Sequence, residues 1–181
     1  MKKILGLSLG VALVLFITGC TINNTPTKKV EAYLNSYKTL DENVVNQIDS
    51  VIKEDNDMTD DEKETYKSAI KRQYKDLTYV IKNETIDGDN ATVTVEIEVY
   101  DFYKTNEASD RYYQDNQDEF KSEDGTLSDD MLIDYRIKQL TTAKERIKYT
   151  VEFRLSKTNN TWKISDVDDI TIQKIHGLYA H

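Results

Sequence analysis

The hydrophobic pattern of this chain switches repeatedly between helical and alternating periods, and each switch marks a new kind of element. Val30, Tyr33, Leu34, Tyr37 and Leu40 recur at steps of three and four, which draws one apolar stripe on a helix after Thr27. Asp41 stands where a second helix needs its cap, and Val44, Val45, Ile48, Val51 and Ile52 continue the period until polar residues 54–57 break it. Thr59 and Glu62 are spaced as a capping box for a third helix, whose inner face reads Tyr66, Ala69, Ile70, Tyr74 and Leu77. The period then falls to two. Residues 77–86 predict a strand, Asp87-Gly88-Asp89-Asn90 its turn, and 91–102 a partner with Val93, Val95, Ile97 and Val99 on one face. Thr92, Thr94, Glu96 and Glu98 take the other face, so one side of an antiparallel sheet packs on a core and the other meets water.

Residues 103–146 interrupt the sheet with two helices, one through the region of Tyr112, Tyr113 and Phe120, the other opened by the cap Ser128 with Asp129 and Asp130 in its first turn. Gly125 separates them. Alternation returns at Ile147, Tyr149, Val151, Phe153 and Leu155, with basic members placed to face Glu96 and Glu98 across the ladder. Asn159-Asn160 supplies a left-handed hairpin turn before Thr161-Trp162-Lys163-Ile164. Ile170, Ile172, Ile175 and Leu178 form a last apolar segment that Gly177 can stop as a short helix. The fold class expected is α+β: N-terminal helices on a curved antiparallel sheet of about four strands, with a helical insertion between strands 2 and 3.

That order of elements, ending in the tryptophan hairpin of residues 159–167, resembles the NTF2-like (cystatin-like) domains of small lipoproteins from Gram-positive bacteria. The resemblance implies a cone-shaped domain over most of the chain, with an interior pocket. It also implies a fold that hosts binding modules and, in some members, isomerase or dehydratase chemistry.

The N-terminus changes the picture most. Lys2 and Lys3, the apolar run 4–16 and then Ile17-Thr18-Gly19-Cys20 have the layout of a secretory signal, too short to span a bilayer comfortably. The run resembles the lipobox of bacterial lipoproteins, which implies cleavage after Gly19 and a diacylglyceryl thioether on Cys20. The expected organisation is a signal peptide at 1–19, a lipidated cysteine and short tether at 20–26, and one domain at 27–181, held at the outer face of the cytoplasmic membrane. Two acyl chains anchor stably where one binds marginally. Cys20 is the only cysteine, so neither an internal disulfide nor a thiolate metal site is available.

Composition then narrows the partners. Lys plus Arg number 24 against 33 acidic residues, a net charge of −9. Loss of Lys2 and Lys3 with the signal leaves 22 against the same 33, or −11. Such a surface repels nucleic acid, and it gives the body no charge attraction to anionic lipid.

Candidate chemistry is sparse. His176 and His181 read as surface histidines near the C-terminus with no ligand or base spacing around them, and no metal or cofactor is expected. A calcium loop counted from Asp55 fails, with Asp60 where Gly is needed and Tyr66 where Glu is needed. The 12 tyrosines are the remaining signal. Most sit at core phases, but Tyr100, Tyr103, Tyr112 and Tyr113 gather around the insertion as candidates for a binding surface. Asp166 falls on the side of Trp162 and Ile164 and is the one candidate for an acid turned inward, the alternative being a strand end with the acid at the rim. The expected role is a noncatalytic, extracytoplasmic binding or interaction module. The alternatives are an enzyme with Asp166 as general base and a structural or protective envelope protein.

Overall fold

The computed structural model describes residues 24–181. The expected signal peptide and the expected lipidation at Cys20 therefore lie outside the described residues. Three helices come first, α1 (Pro26–Lys38), α2 (Glu42–Glu54) and α3 (Asp60–Lys75). The hairpin β1 (Thr78–Asp87) and β2 (Asn90–Tyr100) follows, then the insertion of α4 (Phe102–Asp115), a 3-10 turn Gln117–Phe120 and α5 (Asp129–Thr142). The hairpin β3 (Arg146–Thr158) and β4 (Thr161–Ile164) and the helix α6 (Asp169–His176) complete the chain. The four strands form one antiparallel open sheet in the order β1-β2-β3-β4. The α+β architecture is thus as the alternating and helical periods predict.

Helix starts fall where side chains can satisfy free amides. Thr25 accepts from Lys28 N, Asp41 from Asn43 N, and the Thr59–Glu62 box closes in both directions at 3.3 and 2.7 Å. Leu40 differs from the sequence reading: α1 ends at Lys38, and Leu40 turns the corner with a φ of 50° rather than extending the helical stripe. The second strand likewise stops at Tyr100. Asp101 caps α4 through Lys104 N at 2.9 Å, and Phe102 enters that helix fully buried.

Four of the five inward residues of β2 (Val93, Val95, Ile97 and Val99) are completely buried beneath α1, α3 and α6, and the fifth, Ala91, nearly so. Tyr33, Phe153, Tyr37 and Tyr74 pack edge to face in that layer, with centroids 4.9–5.5 Å apart. The insertion does not cover the sheet. Helix α5 packs on α3 and α4, forming a further layer beyond the first helices. The other face of the sheet stays polar, with Lys82 3.2 Å and Lys148 3.6 Å from Glu96, and Arg146 3.9 Å from Glu98, as the cross-strand charges predict.

A bulge at Lys82 lies between the pairs Ile81↔Val95 and Asn83↔Thr94. The extra residue exchanges the faces of the strand, so that Glu84 rather than Asn83 shares the side of Val93. Glu84 uses that position to accept from Thr27 N and Oγ1 at 2.9 and 2.6 Å, which ties the first turn of α1 to the sheet. On the opposite edge, Asn24 donates to Asn160 O at 2.5 Å and accepts from Trp162 N at 3.0 Å. The entry of the domain is therefore fastened to both edges of the sheet at its turn end.

Candidate binding surfaces

The four candidate tyrosines divide into two places with different roles. Tyr100 ends β2 and is locked into the framework. Its ring lies 4.0 Å from the Arg72 guanidinium and 4.9 Å from that of Arg146, and its hydroxyl donates to Asp76 Oδ2 at 2.8 Å. Arg72 in turn donates to Thr141 O at 2.5 Å and to Ala143 O, capping the carbonyl end of α5 against α3. Tyr103 begins the insertion, where its hydroxyl donates to Glu107 at 3.2 Å and its ring lies 5.7 Å from His181.

Tyr112 and Tyr113 belong to the far part of the insertion. Phe120 is the buried hub there: Tyr112, Tyr113 and Tyr135 meet its ring at 5.0–6.3 Å, and Tyr112 stacks on Tyr135 at 5.1 Å and 12°. The tyrosine hydroxyls keep this cluster at the surface, and Tyr112 donates to Glu119 at 2.8 Å, a bond to a carboxylate that raises the phenol pKa. Tyr112, Leu127 and Met131 are 37, 45 and 39 % exposed, an apolar surface in a strongly charged setting. Residues 110–134 hold nine acidic and two basic side chains, a net −7 within a chain of −9. Both cations are paired locally, Lys121 with Asp118 at 2.5 Å and Arg111 with Glu107 at 3.9 Å, and two of the acids are matched from just beyond the segment, Asp110 by Arg136 and Asp134 by Lys138 at 2.6 Å. Sequence reasoning names the two tyrosines for this surface but not Leu127 or Met131, and it places Tyr135 at a core phase, whereas the ring is half-buried at this cluster. The charge asymmetry of this segment was the available signal.

Asp166 lies far from these tyrosines in sequence and on a separate surface. β4 ends at Ile164, so the alternation that placed Asp166 on the side of Trp162 no longer governs it, and its side chain is exposed rather than turned inward. It stands at the rim of a groove of about 320 Å³ between β3 and the start of α6, with Ile164, Val167 and Ile170 among its walls. Asp168 caps α6 through Thr171 N at 2.6 Å, and that bond holds its carboxyl below the usual range.

His176 departs from the surface reading, whereas His181 is exposed as that reading expects. His176 is 3 % exposed, with its ring 5.6 Å from Tyr74, and burial pushes its pKa down to about 4. A void of only about 10 Å³ lies beside it, lined by Tyr37, Val44, Ile48 and Ile172. The signal for burial was present in the helical phase it shares with Ile172, but its position near the end of the chain argued the other way. Its carbonyl accepts from Gln73, a fully buried side chain that also donates to Tyr100 O and accepts from Tyr100 N at 2.7–2.8 Å. His181 sits 3.3 Å from Asp101 Oδ2 with Tyr149 nearby. Burial first, and Asp101 second, raise the Tyr149 phenol to about 12.

Among the described residues, no group of three or more metal-ligating side chains converges, and no helix is long and apolar enough to cross a membrane. Compared with family models, curated proteins and solved structures, the chain matches none.

Proposed function

We propose that this chain is a lipid-anchored bacterial lipoprotein whose domain, NTF2-like in its order of elements, serves as a noncatalytic interaction module outside the cytoplasmic membrane. The observation that carries the binding reading is the far part of the insertion, where Tyr112, Leu127 and Met131 remain exposed amid a net charge of −7. Such a surface suits a partner protein that brings an apolar anchor ringed by Lys or Arg, with the charges steering encounter and the apolar core contributing affinity. The noncatalytic reading is supported by the dispersal of the candidate residues, since Asp166, Tyr100 and the Tyr112 cluster occupy separate surfaces and Asp166 is open to water.

The anchoring reading rests on Ile17-Thr18-Gly19-Cys20 and gains a spatial consequence from Asn24. Four residues span at most about 14 Å. With Asn24 fixed to Asn160 and Trp162, a lipid on Cys20 holds the turn end of the sheet next to the bilayer.

The test places a photocrosslinking amino acid at Leu127 of the full chain in intact cells, with Val80, 55 % exposed on the sheet, as the control position. The expected result is a discrete adduct from position 127 and none from 80, weakened when Asp129 and Asp130 are replaced by Lys. Equal adducts from both positions, or none from 127, would overturn the binding reading. Labelled palmitate incorporated by the wild type and not by Cys20→Ser tests the anchor separately.

A further inference from the structure

β3 is 13 residues long, but β4 covers only its last part, from Leu155↔Ile164 to Thr158↔Thr161. Two contacts show which backbone groups look towards the uncovered edge. Ser165 N donates to Arg154 O at 2.8 Å, and Lys174 Nζ donates to Thr150 O at 3.2 Å. Polar groups of alternate residues point the same way along a strand, so the N–H and C=O of Glu152 and the N–H of Thr150 also face outward on that edge. This edge borders the groove that Asp166 rims, where Ile170 is 51 % exposed.

We infer that the groove is a strand-addition site for an extended peptide segment that alternates basic and apolar residues. The backbone edge supplies the hydrogen bonds that such a segment needs. Successive side chains of an added strand point to opposite faces, one set towards the polar outer face that carries Glu152 and the other towards Val167 and Ile170. Charge selects the first set. The charged side chains lining the groove are Glu152, Asp166 and Asp168 against Arg154 and Lys174, three acidic and two basic, and both cations act on Asp168 at the start of α6, so Glu152 and Asp166 give the outer side of the groove its negative character. Lys174 holds the carbonyl of Thr150, the position that an incoming N–H would take. This site is distinct from the Tyr112 surface and stands or falls independently of it.

The experiment is hydrogen exchange of the full chain in lipid nanodiscs, with a six-residue peptide of alternating lysine and valine as the probe at about millimolar concentration. The expected result is fast exchange at Thr150 and Glu152 without peptide and slowing by about tenfold with it, localised to residues 148–152. Glu152→Pro removes an N–H that faces the open edge, not the β2 ladder, and should abolish the protection. The paired variant Glu152→Lys with Asp166→Lys alters exposed side chains only, and should reject the lysine peptide and accept one of alternating glutamate and valine. Protection already present without peptide, binding unchanged by the charge reversal, or protection confined to the insertion would each overturn the proposal.

Discussion

The seam where α3, the end of β2 and α6 meet contrasts with the far part of the insertion, although both are rich in polar and aromatic side chains. In the seam each polar group is buried and matched: Gln73 serves three backbone groups, and Gly177 passes so close to Tyr100 O and the Gln73 amide that no Cβ fits. In the far part of the insertion the tyrosines and carboxylates lie at the surface, and the pairs Arg111–Glu107 and Lys121–Asp118 lie in high dielectric where each contributes little. Polar residues in the seam specify the fold. Those in the insertion contribute less to it, and on the proposed reading they meet a partner.

Substitutions can break this contrast, and the largest effect belongs to Gly177. Its φ of +70° and the neighbouring carbonyl together make Gly177→Ala cost about 4 kcal/mol in chemical denaturation, from left-handed strain plus overpacking. Gln73→Leu leaves the N–H and C=O of Tyr100 and the C=O of His176 without their side-chain partner, and should cost about 3 kcal/mol.

His176 adds a pH dependence of similar size. Its ring takes up a proton near pH 6.5 when unfolded but only near 4 when folded, so between those values the unfolded chain alone binds the proton. Stability is therefore full above pH 6.5, falls by about 3 kcal/mol as the pH drops to 4, and loses no more from this group below that. Denaturation of wild type and His176→Phe across this range checks the prediction. The difference between the two curves isolates the histidine from carboxylates such as Asp168 that titrate in both. The smallest effect is in the insertion, where Tyr112→Ala loses the stack on Tyr135, the edge contact with Phe120 and the bond to Glu119, all near the surface, and should change stability by about 1 kcal/mol.

The parts of the fold legible in the sequence were those set by local periodicity. Caps at Asp41, Thr59 and Ser128, the alternation of β2 and β3, and the left-handed Asn159-Asn160 turn all follow from neighbours close in the chain. What was illegible depends on partners distant in sequence. Gln73 reads as an ordinary polar helix residue until Tyr100 and His176 arrive 27 and 103 positions later. The bulge at Lys82, which gives Glu84 its place at α1, leaves no mark beyond a lapse in alternation. The candidate site was half legible. Composition singled out Tyr112 and Tyr113, but it grouped them with Tyr100, whose environment is set by Arg72 from α3 and Arg146 from β3. Of the two readings of Asp166, the acid at the rim holds and the inward acid does not, because strand alternation stops with β4 at Ile164.

The most direct test of the contrast is one variant measured two ways: Tyr112→Ser, Leu127→Ser and Met131→Ser combined, assayed for thermal unfolding and for the crosslinked adduct formed from a probe at Asp130. The account predicts a melting temperature lowered by no more than about 8 °C, as a loss of about 2 kcal/mol over three exposed side chains implies for a domain of this size, together with loss of the adduct. A collapse in stability with these exposed residues removed, or an adduct that persists undiminished, would contradict it.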